Sequence, residues 1–298
     1  MGAQLRIVRR RIKSVQSTQK ITRAMELIAS SRIVKAQQRV EQSRPYAEQL
    51  TRAMEDLAAN TGSLSHPLLA DRESPTKVGV LALTSDRGLA GAYSANVIKE
   101  AEGVLAAVRA RGLEPVLYVA GKKGIGYFRF RGVPIRRDWQ GFSEVPVYVK
   151  AEEIGRTLIA DFADGAIDEL WCAYTDFRSA FTQRATQKRF LPIAPEEVTG
   201  RGSELVHPEY LFEPEAEQIL DHLLPQYLIT KIWAALLESA ASENAARRRA
   251  MKAATDNADE LLKILTRQAN RARQDEITTE ILEIVGGAEA LSAAALEG

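Results

Sequence analysis

The sequence predicts an α/β protein in which two very long helices, one at each end, flank a Rossmann-like wound sheet. The two helices are expected to pack together as a long antiparallel coiled coil. Three observations predict this. Apolar residues recur every three or four positions through residues 1–58, with no proline before Pro45 and no glycine after Gly2. Short β-branched runs alternate with amphipathic stretches through residues 76–205. From Phe212 to about residue 290 the helical period returns for roughly 75 residues, about 110 Å at 1.5 Å per residue.

In the first segment the stripe runs Leu5, Val8, Ile12, Val15, steps to Ile21, Met25 and Ile28, and resumes at Ile33, Ala36, Val40, Ala47, Leu50, Met54 and Leu57. The slip between Val15 and Ile21 predicts a heptad that is not strict. Pro45 predicts a kink or local break. The run NTGSLSHP, 60–67, ends the segment.

In the middle segment KVGVLALTS, EPVLYVAG, IDELWCAYTDF and KRFLPIA are predicted strands. SANVIKEAEGVLAAVRARG, KKGIGYFRFRG and EEIGRTLIADFADG are predicted helices. In the third segment, 212–290, Pro214 suits a first helical turn and Pro225 predicts a kink. The seam is placed on Ile219, Leu223, Tyr227, Ile232, Leu236, Met251, Ala254, Ala258, Leu262, Leu265, Ala269, Ile277, Ile281 and Ile284. SAASENAARRRAMKAATDNA is rich in small side chains, which lets a partner helix come close.

The far end, ITTEILEIVGGAEAL, is unusual. Ile277, Ile281 and Ile284 form one greasy face, Glu276, Glu280 and Glu283 stand beside it, and Gly286 and Gly287 are expected to stop the helix. Acids are unfavourable at a helix C-terminus, where the dipole prefers cations. The C-terminal pattern is also longer than the N-terminal one by more than ten residues, so part of it must overhang. The apolar face of that overhang needs a partner from outside the chain.

Bulk properties narrow the function. The net charge of +1 argues against a general nucleic-acid or membrane binder. The charge is asymmetric: residues 1–40 hold ten bases and one acid, whereas 275–298 hold six acids and no base. A basic amphipathic N-terminus also fits a transit peptide or a nucleic-acid arm. Against these, the pattern continues to about residue 58 and the first aromatic is Tyr46. The single cysteine, Cys172, lies in an apolar run, and His66, His207 and His222 have no ligand spacing, so no disulfide, metal or cofactor is expected. No apolar run reaches the ~20 residues of a membrane span.

Candidate chemistry is sparse. TSDRGLAGAYSANV, 84–97, is a strand, a Gly-rich turn and a helix start, but it fits neither phosphate-loop pattern, and Asp86 would repel phosphate. A tight turn with Asp86 and Arg87 in local or interface contacts is the plainer account. Arg247, Arg248, Arg249 and Lys252 form either a solvated basic face or a contact for acidic loops of a partner. An α/β nucleotide-binding enzyme with helical arms stays as the alternative, and saturable nucleotide binding would distinguish it.

Four stretches in order then carry a resemblance: RIKSVQSTQKITRAMELIASSRIVKAQ (11–37), SDRGLAGAY (85–93), MKAATDNADELL (251–262) and ITTEILEIVGGAEA (277–290). Together they resemble the gamma subunit of rotary F-type ATP synthases over essentially the whole chain. The resemblance implies a non-catalytic rotor shaft, driven by protons, whose tip stands in an apolar collar of three alpha and three beta subunits. It implies contacts with that hexamer at Met25, Arg247, Arg273, Gln274, Thr278, Glu280 and Glu283. It also implies that HPEYLFEPE, with Tyr210 and Glu213, faces the membrane c-ring and the epsilon subunit. The implied location is peripheral, on the cytoplasmic face of a bacterial cell membrane. Ala90 stands where many relatives have cysteine, Pro225 departs from the family pattern, and no cysteine-pair insertion of the chloroplast type is present.

Overall fold

The computed structural model describes residues 3–61, 66–179, 181–194, 197 and 216–296. Helix α1 is Ala3–Thr61. It is followed by β1 (Lys77–Leu83), α2 (Tyr93–Ala110), β2 (Glu114–Ala120), α3 (Lys122–Phe130), β3 (Ile135–Trp139), α4 (Tyr148–Ala163), β4 (Glu169–Phe177), β5 (Gln183–Leu191) and α5 (Ala216–Leu296). Two long helices thus flank a central sheet. By packing, the chain divides into two compact units, Met1–Ile28 with Arg249–Gly298, and Ala29–Arg248.

In the first unit the two helices meet antiparallel. Gln19 donates to the Asp259 carboxylate, and the Thr22 and Thr255 hydroxyls pair at 2.7 Å. The sheltered positions of α1 are Leu5, Val8, Ile12, Val15, Gln19 and Thr22, with Met25 and Glu26 half-buried beyond them. On α5 they are Met251, Thr255, Ala258, Leu262, Leu265, Ala269, Ala272 and Glu276. Both series step by alternating threes and fours, which is a strict heptad. The predicted slip therefore does not occur. It came from following apolar residues onto the wrong face: Ile21 and Ile28 are more than half exposed, while the polar Gln19 and Thr22 take the seam. Polar residues that pair across a seam fix its register.

This register puts Ala3 opposite about residue 275, where the seam of α5 also ends. Ile277, Ile281 and Ile284, expected on the seam, are instead exposed at 46%, 54% and 72%. The overhang is as expected, but its apolar face lies to one side of the coiled-coil line. Gly286 and Gly287 do not stop α5, which continues to Leu296. Neither glycine has a positive φ. Glycine weakens a helix by roughly 1 kcal/mol relative to alanine without forbidding it. Nor do the prolines break their helices: Pro45 lies inside α1 and Pro225 inside α5. At each, the helix lacks one backbone donor and the ring crowds the carbonyl four residues before it.

In the second unit the sheet order is β3-β2-β1-β4-β5, with the first four strands parallel and β5 antiparallel to β4. Alternation splits β1 between two cores. Val78, Val80 and Ala82 face α2 and α3, packed with Val97, Val104 and Phe128. Leu81 and Leu83 face a larger core that holds Ile154 and Leu158 of α4, Met54 and Leu57 of α1, and Leu224, Leu228 and Ile232 of α5. Cys172 lies in that core, where burial pushes its thiol pKa up. Strand β3, with its exposed Arg136 and Arg137, carries no alternation the sequence could show, and β5 starts five residues earlier than the predicted run.

Candidate functional site

In a wound sheet of this order, ligands bind outside the strand carboxyl ends where the winding reverses, here between β1 and β4. That crevice is occupied by α5. Ser242 Oγ donates to the Thr175 carbonyl at 3.4 Å, and Glu238 faces Asp176 at the end of β4. The space left between Leu236, Ser239, Thr84, Tyr93, Phe142 and Ser143 is about 10 Å³, room for a single water at most and far too little for a nucleotide. A nucleotide could enter the reversal point only if α5 left it.

The Gly-rich turn after β1 is built as local contacts, as its sequence indicated. The Asp86 carboxylate accepts from the backbone N–H groups of Lys122 (3.1 Å), Gly141 (2.8 Å) and Ser143 (3.0 Å). The Asp86 N–H donates to Ser143 Oγ at 2.8 Å. Burial alone would raise the Asp86 pKa, but these donors outweigh it and hold it below the usual carboxylate value. Gly121, at φ +100°, has no room for a side chain, since a Cβ there would stand 2.1 Å from the Thr84 carbonyl oxygen. Leu89 takes a left-handed φ of +63° and is exposed. On its outer side the turn borders an open cleft of about 420 Å³ with Arg87, Lys99, Glu102 and Lys123 on its walls.

Arg247 differs most from expectation. It is neither a solvated base nor a surface contact: it is 4% exposed. Its guanidinium donates to Glu243 at 2.6 Å, lies 3.4 Å from Glu144 and reaches the Gly88 carbonyl at 3.5 Å. Burial raises the Glu243 pKa, and the bond from Arg247 pulls it back in part. Arg32 and Arg87 also pair with Glu144. Glu144 and Ser143 lie in GFSEVPVY, which has no period or motif, and sequence reasoning missed them.

The other candidates divide cleanly. Arg273 and Gln274 at the last paired turn of α5, and Thr278, Glu280 and Glu283 on its overhang, are all exposed, with the Thr278 hydroxyl donating to the Gln274 carbonyl at 2.9 Å. Met25 is half-buried beside the α1 seam. Tyr210 and Glu213 lie outside the described residues. Among the described residues no group of His, Cys, Asp or Glu is arranged to hold a metal ion, and no helix is long and apolar enough to cross a membrane.

With the bare tip and the plugged crevice in view, comparison with known proteins decides the family. The profile of a family described as ATP synthase matches residues 4–291. The ATP synthase gamma chain of Acidothermus cellulolyticus is 56% identical over the whole of both chains. That of Thermobifida fusca is 54% identical over 99% of this chain and 98% of its own. The chain belongs to the ATP synthase gamma chain family. Solved structures share its fold. A chain of the Euglena gracilis mitochondrial ATP synthase (OSCP/F1/c-ring, rotational state 3) aligns with a TM-score of 0.70 at 18% identity, covering 99% of this chain and 96% of that one. A chain of the Tetrahymena thermophila central stalk and c-ring aligns at 0.58 and 22% identity, covering 78% of this chain and 99% of that one.

Proposed function

We infer that this chain is the rotating central shaft of a proton-driven rotary ATP synthase. It is a non-catalytic subunit that couples rotation of a membrane c-ring to ATP synthesis and hydrolysis in a hexamer of three alpha and three beta subunits. The observation that carries this is the overhang of α5, an apolar stripe of Ile277, Ile281 and Ile284 that the chain leaves uncovered. Such a stripe fits the inside of an apolar collar, one surface of a bearing whose other surface is the hexamer.

The exposed Arg273, Gln274, Thr278, Glu280 and Glu283 then supply the charge-assisted bonds that form and break as the shaft turns, and Met25 adds an apolar contact with the same hexamer. Arg247 works from inside the chain. Tyr210 and Glu213 face the c-ring and epsilon subunit, and the assembly sits on the cytoplasmic face of a bacterial membrane. One asymmetric shaft touches three equivalent catalytic subunits differently, so each holds a different nucleotide state. Shaft angle and site affinity are coupled free energies and act on each other in both directions. Torque therefore makes ATP, and hydrolysis makes torque.

The test is co-expression of the tagged chain with and without its alpha and beta subunits, followed by an ATPase assay. The expected result is a complex of three alpha, three beta and one copy of this chain, active only when all are present. A chain that purifies alone and never enters that complex overturns the reading. Truncation after Arg273 is expected to let the complex survive in part and to lower its torque, and unchanged torque removes the bearing role from the tip.

A further inference from the structure

Four separate segments of the second unit meet at Glu144. Its carboxylate pairs with Arg32 of α1, with Arg87 of the Gly-rich turn at 3.6 Å and with Arg247 of α5 at 3.4 Å. A carboxylate has two oxygens and about four acceptor sites. Here one oxygen faces Arg32 and Arg87, and the other faces Arg247. Glu144 is largely sheltered, its side chain 14% exposed.

The segment that carries Glu144 is itself fixed. Asp86 accepts from the Gly141 and Ser143 N–H groups, and Ser143 Oγ accepts from the Asp86 N–H. The Gly-rich turn and residues 141–144 are thereby one block. Apolar packing holds α1 and α5 against the sheet's other strands, but it is non-directional. Charged contacts at fixed sites restrict an angle, and Glu144 is the residue of this block that reaches both long helices, accepting a hydrogen bond from Arg32 of α1 and ion-pairing with Arg247 of α5 at 3.4 Å.

We propose that Glu144 is the positioning residue that makes the Gly-rich turn and the two long helices of this unit turn as one body. The proposal rests on the shaft reading for its consequence and not for its geometry. If the block can move independently of the helices, part of an applied torque is lost as internal motion instead of reaching the next element.

The test has two arms, both on Glu144→Gln, which keeps the shape and removes the charge, and on Glu144→Asp, which keeps the charge. The first arm is amide hydrogen exchange on the full chain. In Glu144→Gln the amides of 85–91 and 141–145 are expected to exchange about tenfold faster or more, the scale of a lost charged hydrogen bond, with the strands unchanged. Glu144→Asp restores part of the protection. Unchanged exchange in the two segments overturns the proposal, as does a uniform rise over the whole unit. The second arm measures ATP-driven proton pumping per ATP hydrolysed in the membrane-bound complex. Unfolded chains drop out of both quantities, so instability alone does not move this ratio. The expected result is a lower ratio in Glu144→Gln, partly rescued in Glu144→Asp. Faster local exchange with an unchanged ratio overturns the mechanical role. A wild-type chain that supports no coupled complex sinks the shaft reading instead, and the exchange arm still decides whether Glu144 is the joint.

Discussion

Two stretches of α5 invert the usual rule of burial. Residues 238–247 are largely polar, yet Ser239, Ser242, Glu243, Asn244 and Arg247 are all buried. Residues 277–285 present Ile277, Ile281, Leu282, Ile284 and Val285, and all are exposed. Both stretches belong to one uninterrupted helix, so local propensity does not separate them. The difference lies in what packs against each. The first fills a crevice lined by strand ends, whose backbone carbonyls and turn residues demand polar partners. The second extends past the end of α1, and its apolar side chains are left exposed among the described residues. Inverted burial of this kind marks the places where a sequence answers to something other than its own stability.

The contrast can be broken most severely at the arginines. Arg247→Ala leaves Glu243 buried without its partner and is expected to destabilise the chain by about 3–5 kcal/mol, measured by urea unfolding. Arg273→Ala, at an exposed position just before the second stretch, is expected to stay within about 0.5 kcal/mol. Equal effects would show that the two stretches do not differ as described.

Glycines sharpen the same contrast. A Cβ on Gly155 of α4 would stand 2.6 Å from Ile229 Cγ1 of α5, so Gly155→Ala is expected to cost about 1–3 kcal/mol. A Cβ on Gly286 meets nothing within 4 Å, and Gly286→Ala is expected to raise the helicity of the tip, by up to about 1 kcal/mol. Thermal unfolding reads the first and far-ultraviolet circular dichroism the second.

A pH-dependent effect belongs to the buried stretch. Burial, and then the neighbouring Asp176, push the Glu238 pKa up to about 7, against the pull of Lys188. The folded chain therefore holds a proton there that the unfolded chain releases near 4.5. The stabilisation from that proton is complete below about pH 4.5 and is lost as the pH rises to about 7. In Glu238→Gln this loss is expected to vanish, so the variant gains stability over wild type between pH 5 and pH 8 in paired denaturation curves. A constant difference between the two across that range removes the assignment. The smallest expected effect on stability is Ile281→Ser, within about 0.5 kcal/mol for the isolated chain. In the assembled complex the same change is expected to lower the torque.

Legibility followed the same division. The wound sheet could be read because β-branched alternation in KVGVLALTS and the helical period of SANVIKEAEGVLAAVRARG are local signals. The long helices could be read for the same reason. Their seam was only partly legible, because apolar residues were traced through Ile21 and Ile28 while Gln19 and Thr22 hold the true positions. The tip could be read in outline: the overhang and its stripe were expected, the helix running on past Gly286 was not. The Glu144 joint was illegible, since one glutamate in an aperiodic loop acquires its role from three arginines that are remote in sequence.

The strict heptad has a mechanical corollary. Helices that keep a 3.5-residue repeat wind into a left-handed supercoil. A two-stranded rope does not answer twist equally in both senses. Twist that follows its lay draws the strands together and loads the Gln19–Asp259 and Thr22–Thr255 pairs in compression. Twist against its lay spreads the strands and pulls the same pairs apart. The paired helices of the first unit therefore act as a spring that is stiffer in one rotational sense than in the other.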